Sequence, residues 1–178
     1  MSPTNLFSSE RADKDSTLAD RLRHHIQRLA GDIGERNVWR PNALRAAADY
    51  IRGEFAELGY EVAIQSYQAE GLSCDNIEVI VPGIAQDGEI IIAGAHYDTV
   101  PGSPGADDNA SGVAGVIEIA RLLRDAHPAR TIKLVAFVNE EAPFFFFGEM
   151  GSKGYAEAAR RRGDDIRGMV SLGMRGCY

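Results

Sequence analysis

Three short segments of the chain combine histidine and carboxylate residues. The histidine segment contains His96 and Asp98, the aspartate segment contains Asp108, and the glutamate segment consists of Glu140 and Glu141. Zinc binds imidazole nitrogens and carboxylate oxygens, and a free carboxylate beside the metal can act as a general base. Acidic residues brought together in this way would repel one another without a cation. The three segments are therefore typical of a zinc-dependent hydrolase.

Each segment taken alone has a simpler interpretation. His96 after a strand would be a structural histidine, and Asp108 with the preceding Asp107 would form a turn or a helix cap. The two glutamates, residues 140–141, would be a solvated pair in a loop. Their occurrence together, in this order along the chain, favours metal ligation over all three alternatives.

Predicted strands place these segments at one edge of a sheet. Residues 89–95 and 131–138 are apolar runs that predict strands buried on both faces, and the histidine and glutamate segments follow them. Ligand sites of open α/β sheets lie beyond the carboxyl ends of the strands, so we expect the two segments to converge. Asp108 is expected at the start of a helix that includes residues 113–123, where the helix dipole favours a carboxylate.

Hydrophobic periodicity predicts the remaining elements. Helices are expected over residues 18–30, 41–58 and 150–162, antiparallel strands over 61–67 and 76–81 with a connection at 70–73, and a short strand over 169–172. His24 and His25 are expected on the solvent side of the first helix. The order of elements predicts an α/β fold with a mixed, partly parallel central sheet flanked by helices.

Composition excludes several classes of protein. The 178 residues, of which 44% are hydrophobic, suffice for one core. The net charge of -7 disfavours a nucleic-acid partner. Two cysteines, Cys74 and Cys177, cannot supply a disulfide framework or a cysteine-based zinc site. We expect a polar tail over residues 1–16 and one domain over residues 17–178.

The same composition bears on location. The N-terminal residues lack the apolar core of a secretory signal, and no apolar run is long enough to span a bilayer. A cytoplasmic protein with no membrane partner is the expectation, although a secreted chain without its signal would have the same composition. Oligomeric state is left open.

The sequence resembles the di-zinc exopeptidases typified by aminopeptidase Y and bacterial leucyl aminopeptidase, which have glutamate carboxypeptidase-like and glutaminyl cyclase-like relatives. The specific matches are GAHYD at 94–98, GADDNASG at 105–112, and FVNEE at 137–141 followed by GEMGS at 148–152. The stretch at 29–37 also resembles the family's first helix and its exit. The resemblance covers most of the chain and implies an aminopeptidase-like zinc-peptidase fold acting on peptide or aminoacyl substrates.

The resemblance also implies a role for each site residue. His96 would bind one zinc ion, Asp108 would bridge two zinc ions, and Glu141 would bind the second. Glu140 would be the general base, and Asp98 would accept the proton on the other ring nitrogen of His96. The family has a cis peptide bond after the residue that matches Asp108, and we expect the same bond here.

The aromatic run at residues 144–147 follows the glutamate segment directly. It has two interpretations, core packing or the lining of an apolar substrate pocket. Phe144 and Phe145 are the candidate substrate-binding residues.

The chain departs from the family pattern near its C-terminal end. Gly173 stands where the family has an acidic zinc ligand, and the chain stops at Tyr178, before the family's final histidine. Each zinc ion would therefore lack one ligand, and Cys177 is a poor replacement because it lies several residues past the matching position. Since catalytic zinc normally has three protein ligands, we expect impaired activity in this C-terminally incomplete chain.

These observations predict a zinc aminopeptidase-type exopeptidase, of which this chain is the N-terminal part, from a truncated or degenerate gene. Two alternatives stay open. One is a catalytically inactive fragment or binding module on a peptidase scaffold, which the intact Glu140 disfavours. The other is a single-zinc cyclase-like enzyme, which would also need the missing histidine.

Overall fold

A five-stranded sheet with helices beside it makes up the described part of the chain, residues 17–85 and 88–173 of the computed structural model. The strands are β1 (Ala63–Ala69), β2 (Leu72–Val81), β3 (Glu89–His96), β4 (Thr131–Phe137) and β5 (Asp165–Ser171). The helices are α1 (Leu18–Ile26), α2 (Pro41–Glu57), α3 (Gly112–Leu123), α4 (Phe144–Phe147) and α5 (Gly151–Arg162), with π-helical turns that continue α1 over Gln27–Ile33 and precede α3 over Ala106–Ser111. None of these described helices is long and apolar enough to cross a membrane. The predicted tail, residues 1–16, lies outside the described residues.

The strands lie in the order β1-β2-β4-β3-β5. β1 and β4 pair antiparallel with β2, whereas β4 and β5 pair parallel with β3. The predicted mixed, partly parallel sheet is confirmed. β3 and β4 end side by side, because His96 is paired with Phe137 at the last position of their register. The histidine and glutamate segments therefore leave the sheet next to each other.

Two strand boundaries differ from the sequence prediction. Glu70 and Gly71 form a two-residue turn with φ values of 50° and 73°, so the hairpin is tighter than predicted and its strands are longer. Such a turn needs left-handed backbone at both central residues, and only the glycine signals it in the sequence. β5 begins at Asp165 rather than at residue 169, and since most of this strand is exposed it has no continuous apolar run.

Side chains cover both faces of the sheet around β4. On one face α2 and α3 pack against β2 and β4, and Phe55 and Leu134 belong to this main core. On the other face Tyr155 of α5 packs edge to face against Phe137, with ring centroids 5.5 Å apart. Successive residues of a strand point to opposite faces. Burial of both faces therefore explains why β4 appears in the sequence as an uninterrupted apolar run.

A buried polar network joins three helices, and the sequence prediction for one of its members was wrong. His25 is only 2% exposed, although His24 is exposed as predicted. The members of this His25 network are Arg21, His25, Tyr50, Glu118 and Arg121. A histidine counts as polar in a periodicity pattern, yet a carboxylate and a hydroxyl can satisfy both of its ring nitrogens inside the core.

Candidate metal centre

His96 is the last residue of β3, and its ring lies between two aspartates. The Nε2 atom is 3.0 Å from Asp108 Oδ1. The Nδ1 atom is 3.5 Å from Asp98 Oδ1, although these two atoms are not aligned for a hydrogen bond. Burial opposes protonation of the ring, but the charges of Asp98, Glu140 and Asp108 outweigh it and raise the pKa of His96 to about 9. The ring thus lies in a strongly negative environment.

Asp98 is buried and holds the glutamate segment in place. Its Oδ1 atom accepts a hydrogen bond from the backbone N–H of Glu140, and its Oδ2 atom accepts one from the N–H of Glu141, both at 3.1 Å. One carboxylate therefore flanks His96 and also orients the residues that follow β4. Sequence reasoning predicted only the contact with the histidine, because the backbone N–H groups of a loop carry no sequence signal.

The glutamate segment turns sharply after β4. Asn139, just before it, is buried with a φ of 56°, and its Nδ2 atom donates a hydrogen bond to the Tyr67 hydroxyl at 3.0 Å. Left-handed backbone at a residue other than glycine is uncommon, and asparagine is among the residues that tolerate it best. This turn brings Glu140 and Glu141 to the histidine. Each glutamate and His96 offers one ligand atom, and these three atoms lie within 4.8 Å of one another.

The two glutamates differ in their surroundings. The Glu140 side chain is 43% exposed, and its Oε2 atom is 4.0 Å from His96 Nε2. The Oε1 atom of Glu141 is buried and has no hydrogen-bond partner among the described residues. Burial and then the nearby charge of Asp108 raise the pKa of Glu141 to about 7. Glu141 thus has one buried oxygen without a hydrogen-bond partner in the described part of the chain, whereas the Glu140 side chain is open to solvent.

The aspartate segment lies in the π-helical turn before α3. The peptide bond between Asp108 and Asn109 is cis, as the family resemblance implied. Asn109 is buried; its Oδ1 atom accepts a hydrogen bond from the Gly112 N–H at 2.9 Å, and its Nδ2 atom donates to the Leu172 carbonyl at 2.7 Å. Sequence reasoning missed this role. Asn109 links the start of α3 to the residues that follow β5.

Position 173 lies directly after this link. The Leu172 N–H donates to the Gly94 carbonyl at 2.8 Å, which continues the pairing of β5 with β3. A Cβ atom added at Gly173 would have no heavy atom within 4 Å beyond its chain neighbours. The described structure therefore leaves room for a side chain at the position where the family resemblance implies an acidic ligand. Cys177 and Tyr178 lie outside the described residues.

The aromatic run divides between the core and the surface. Phe144 is buried in the main core, and its ring stacks on Trp39 with centroids 6.3 Å apart. Phe145 is 59% exposed, and Phe146 and Phe147 are more exposed still. The core-packing interpretation thus describes the position of Phe144. Phe145 lies where solvent, and hence a ligand, can reach it.

The described residues fit a divalent cation. We call the group formed by His96, Asp98, Asp108, Glu140 and Glu141 the metal-centre cluster. It gathers four carboxylates around one imidazole, and an orphaned buried carboxylate oxygen faces this group. A cation would neutralise this charge and give that oxygen a ligand bond. Nitrogen and carboxylate oxygen donors of this kind suit zinc.

Comparison with known proteins identifies the family of this arrangement. Residues 76–178 match the model of Peptidase family M28, and this range contains all three segments. The chain is 38% identical over 167 residues to the protein YfbL of Escherichia coli, described as uncharacterized. That match covers 89% of this chain and 50% of YfbL.

Solved structures share the fold. A leucine aminopeptidase precursor from Bacteroides thetaiotaomicron is 25% identical with a TM-score of 0.70, and the match covers 88% of this chain and 62% of that one. A glutaminyl cyclase from Porphyromonas gingivalis is 26% identical with a TM-score of 0.74, over 89% of this chain and 60% of that one. The chain thus spans half to three fifths of the length of these relatives.

Proposed function

Because the chain belongs to peptidase family M28, we propose that it carries the metal centre of a zinc-dependent, aminopeptidase-type exopeptidase. The reaction is hydrolysis of the amide bond of a peptide or aminoacyl substrate. The observation that carries the proposal is the convergence of His96, Asp108 and Glu141 beside Glu140 at one sheet edge. Three separate parts of the chain contribute these residues, and no arginine or lysine of the described structure pairs with their carboxylates.

The proposed ligands would divide between two zinc ions. His96 and Asp108 would hold one ion, and Asp108 and Glu141 would hold the other. The 3.0 Å contact of His96 with Asp108 and the orphaned oxygen of Glu141 support this assignment. Zinc, when bound, polarises the scissile carbonyl and lowers the pKa of water.

Glu140 is the general base of the proposed reaction. Its carboxylate accepts a proton from the attacking water and passes this proton to the nitrogen of the leaving amine. Its partial exposure and its distance of 4.0 Å from His96 Nε2 suit a group that faces the ligands without being committed to one of them. Asp98 supports this role, because it fixes the backbone of Glu140.

One of the two proposed zinc sites lacks a side chain at position 173. By the family pattern, Gly173 occupies the position of the remaining ligand of the zinc ion that His96 would hold. This ion would then have one protein ligand fewer, which weakens its binding and lowers activity. The space around Gly173 is open, which supports the view that the site could accept an acidic side chain at this position.

The proposed substrates have an apolar side chain next to the cleaved bond. Phe145 and its exposed neighbours follow the glutamate segment within a few residues and form an aromatic surface. Phe144 supports this surface from the core and is itself stacked on Trp39. Aromatic surfaces beside a polar centre are common in sites that bind apolar groups.

Glutaminyl cyclisation is the second candidate function. The similarity of this chain to the glutaminyl cyclase of P. gingivalis supports cyclisation as the alternative to hydrolysis. The two functions give different products. Hydrolysis of an aminoacyl-p-nitroanilide releases nitroaniline, whereas cyclisation of an N-terminal glutamine releases ammonia.

The test combines zinc titration by calorimetry with both assays on the wild-type chain and on Glu140→Gln. We expect zinc binding in both proteins and a loss of hydrolysis on the order of 10²- to 10⁴-fold in the variant, because only the base is removed. Glu149→Gln is the matched control, since it makes the same change in an exposed glutamate outside the cluster.

The outcomes separate the candidates. No zinc binding by the wild-type chain, or full activity of Glu140→Gln, would contradict the proposed function. Ammonia release without nitroaniline release would favour the cyclase. Zinc binding with neither product would favour a catalytically inactive peptidase scaffold.

A further inference from the structure

Arg36 is a fully buried arginine. Its exposure is 0%, and no ion pair within 4 Å is seen between it and a carboxylate of the described residues. Burial lowers the pKa of Arg36 to about 10 against the opposing charge of Asp98, which still leaves the guanidinium charged at neutral pH. A buried charge is costly unless its hydrogen bonds are satisfied. The position of Arg36 therefore needs an explanation beyond packing.

Backbone carbonyls satisfy this guanidinium, and they come from three different parts of the chain. The Nε atom donates to the Tyr97 carbonyl at 2.6 Å, and Nη2 donates to the Gly105 carbonyl at 3.0 Å. The Nη1 atom donates to the carbonyls of Pro104 at 2.6 Å, Gly34 at 3.0 Å and Leu29 at 3.2 Å. A guanidinium is a rigid planar fork, so these contacts fix the relative positions of the three parts.

The backbone of Arg36 is also tied to the histidine segment. Its N–H donates to the Thr99 hydroxyl at 3.1 Å, and its carbonyl accepts from the Thr99 N–H at 3.0 Å. The Nδ2 atom of Asn37 donates to the Thr99 carbonyl at 3.2 Å. The stretch around residue 36 therefore runs alongside the chain as it leaves His96 and Asp98.

On its other side the guanidinium lies against the aspartate segment. The Gly105 carbonyl, which Arg36 binds, also accepts the Ala110 N–H at 3.0 Å and so closes the turn that contains Asp108. Gly105 has a φ of 59°, and a Cβ atom there would overlap the Asp108 carbonyl and the Thr99 methyl group. Arg36, Thr99 and the aspartate segment are thus packed tightly around one glycine.

We infer that Arg36 is a positioning residue of the metal centre, which sets the spacing between His96 and Asp108. It binds the carbonyl of the residue after His96 and the carbonyls of the turn before Asp108, and it touches neither side chain. The inference rests on the proposed function, because it concerns the same metal centre. Groups that orient ligands from behind typically change metal affinity by about 10- to 100-fold when they are replaced.

The test compares Arg36→Lys and Arg36→Met with a control, Lys133→Met. Lys133 is also a buried cation, with its Nζ atom 3.0 Å from Asp164, but it pairs with Ile92, which lies four residues before His96 on β3. Zinc affinity is measured by calorimetry, and the unfolding temperature of the metal-free proteins is measured in parallel. Cobalt replaces zinc in a second series, since its visible absorption reports the geometry of the ligands.

We expect zinc affinity to fall by about 10- to 100-fold in both Arg36 variants, with altered cobalt absorption. Lys133→Met should lose unfolding temperature but keep the wild-type affinity and spectrum. Lysine should not rescue the site, because a single ammonium cannot reach carbonyls in three segments. If Arg36→Met fails to fold, Thr99→Val, which removes only the hydroxyl bound to the Arg36 N–H, should weaken zinc binding in the same direction.

Wild-type affinity and an unchanged cobalt spectrum in the Arg36 variants would overturn the inference and leave Arg36 with a purely structural role. That result would leave the proposed function intact, since the wild-type chain would still bind zinc. Absence of zinc binding by the wild-type chain would overturn the proposed metal centre and this inference with it.

Discussion

Among the residues that the structure describes, two clusters combine a histidine with carboxylates, and one of the two suits a metal. In the His25 network, Glu118 accepts hydrogen bonds from Arg21 at 2.7 Å and from Arg121 at 3.0 Å. In the metal-centre cluster, no arginine or lysine of the described residues pairs with Asp108, Glu140 or Glu141. The carboxylate of the first cluster is thus paired with two arginines, whereas these three carboxylates of the second have no such partner in the described structure.

The directions of the pKa shifts express the same difference. Burial lowers the pKa of His25, whereas carboxylates raise the pKa of His96 to about 9 against the effect of burial. Burial opposes ionisation of Glu118, but its arginine partners outweigh burial and lower the pKa of Glu118. At Glu141, burial and the charge of Asp108 act together and raise the pKa to about 7. Carboxylates without a cationic side chain beside them, rather than the presence of a histidine beside a carboxylate, therefore distinguish the metal-centre cluster from the His25 network.

The largest expected contrast is between two histidine substitutions. His96→Asn should weaken zinc binding by about 100-fold or more, because it replaces a ligand, whereas His25→Asn should leave zinc affinity unchanged. Calorimetric titration of both variants at the same pH measures the difference. Equal losses would mean that the two clusters do not differ in their contribution to zinc binding.

Glu118→Gln tests the His25 network for stability. Removing one member of a buried, charge-paired group leaves its partners uncompensated and costs about 3 kcal/mol, or roughly 6–12 °C in Tm for a chain of this size. Zinc affinity should not change. Thermal and denaturant unfolding of the metal-free protein measure the loss, and a variant as stable as the wild type would show that the network is not a buried ionic core.

Gly173→Asp tests whether the metal centre lacks only a ligand. A carboxylate at this position has room and should raise zinc affinity by about tenfold, since it adds a third protein ligand to one ion. Gly53→Asp is the control, because it adds the same charge at an uncrowded glycine on α2. No gain at position 173 beyond that of the control would mean that the ligands present are not positioned for that ion.

Glu141→Gln should give the smallest effect, and its sign is opposite to that of Glu118→Gln. In the folded, metal-free protein the pKa of Glu141 is raised to about 7. Protonated Glu141 therefore stabilises the fold at pH values below its unfolded pKa, and this stabilisation is lost as the pH rises towards 7. The neutral variant should therefore be more stable than the wild type at pH 8, by about 1 kcal/mol after allowance for solvent screening. This gain should shrink at pH 5. Unfolding of both metal-free proteins at the two pH values measures it, and destabilisation at pH 8 would contradict the contrast.

Elements with strong periodicity and the residues at strand ends were predictable from the sequence. β3 and β4 are apolar on both faces, so their runs stand out, and parallel pairing then forces His96 and the glutamate segment to one edge. β5 was harder because it is largely exposed. The tight hairpin was missed because Glu70 gives no sign of its left-handed backbone.

The supporting residues of the site could not be predicted. Arg36, Asn109 and the second role of Asp98 depend on backbone carbonyls and N–H groups from distant segments, and such partners leave no pattern in the sequence. His25 was misplaced for a related reason, since its burial depends on partners from two other helices. Residue types indicate the ligands of the site, whereas only the folded arrangement reveals what holds them.

The link between Asn109 and Leu172 has a consequence for amide hydrogen exchange. β5 lies at one edge of the five described strands, and edge strands ordinarily open first, from their ends. Here the N–H of Leu172 is bound to Gly94 and its carbonyl to Asn109, so the end of the strand nearest the cluster is held on both sides. Exchange along β5 should therefore proceed from Asp165 towards Leu172, and the amide of Leu172 should be among the slowest of this strand.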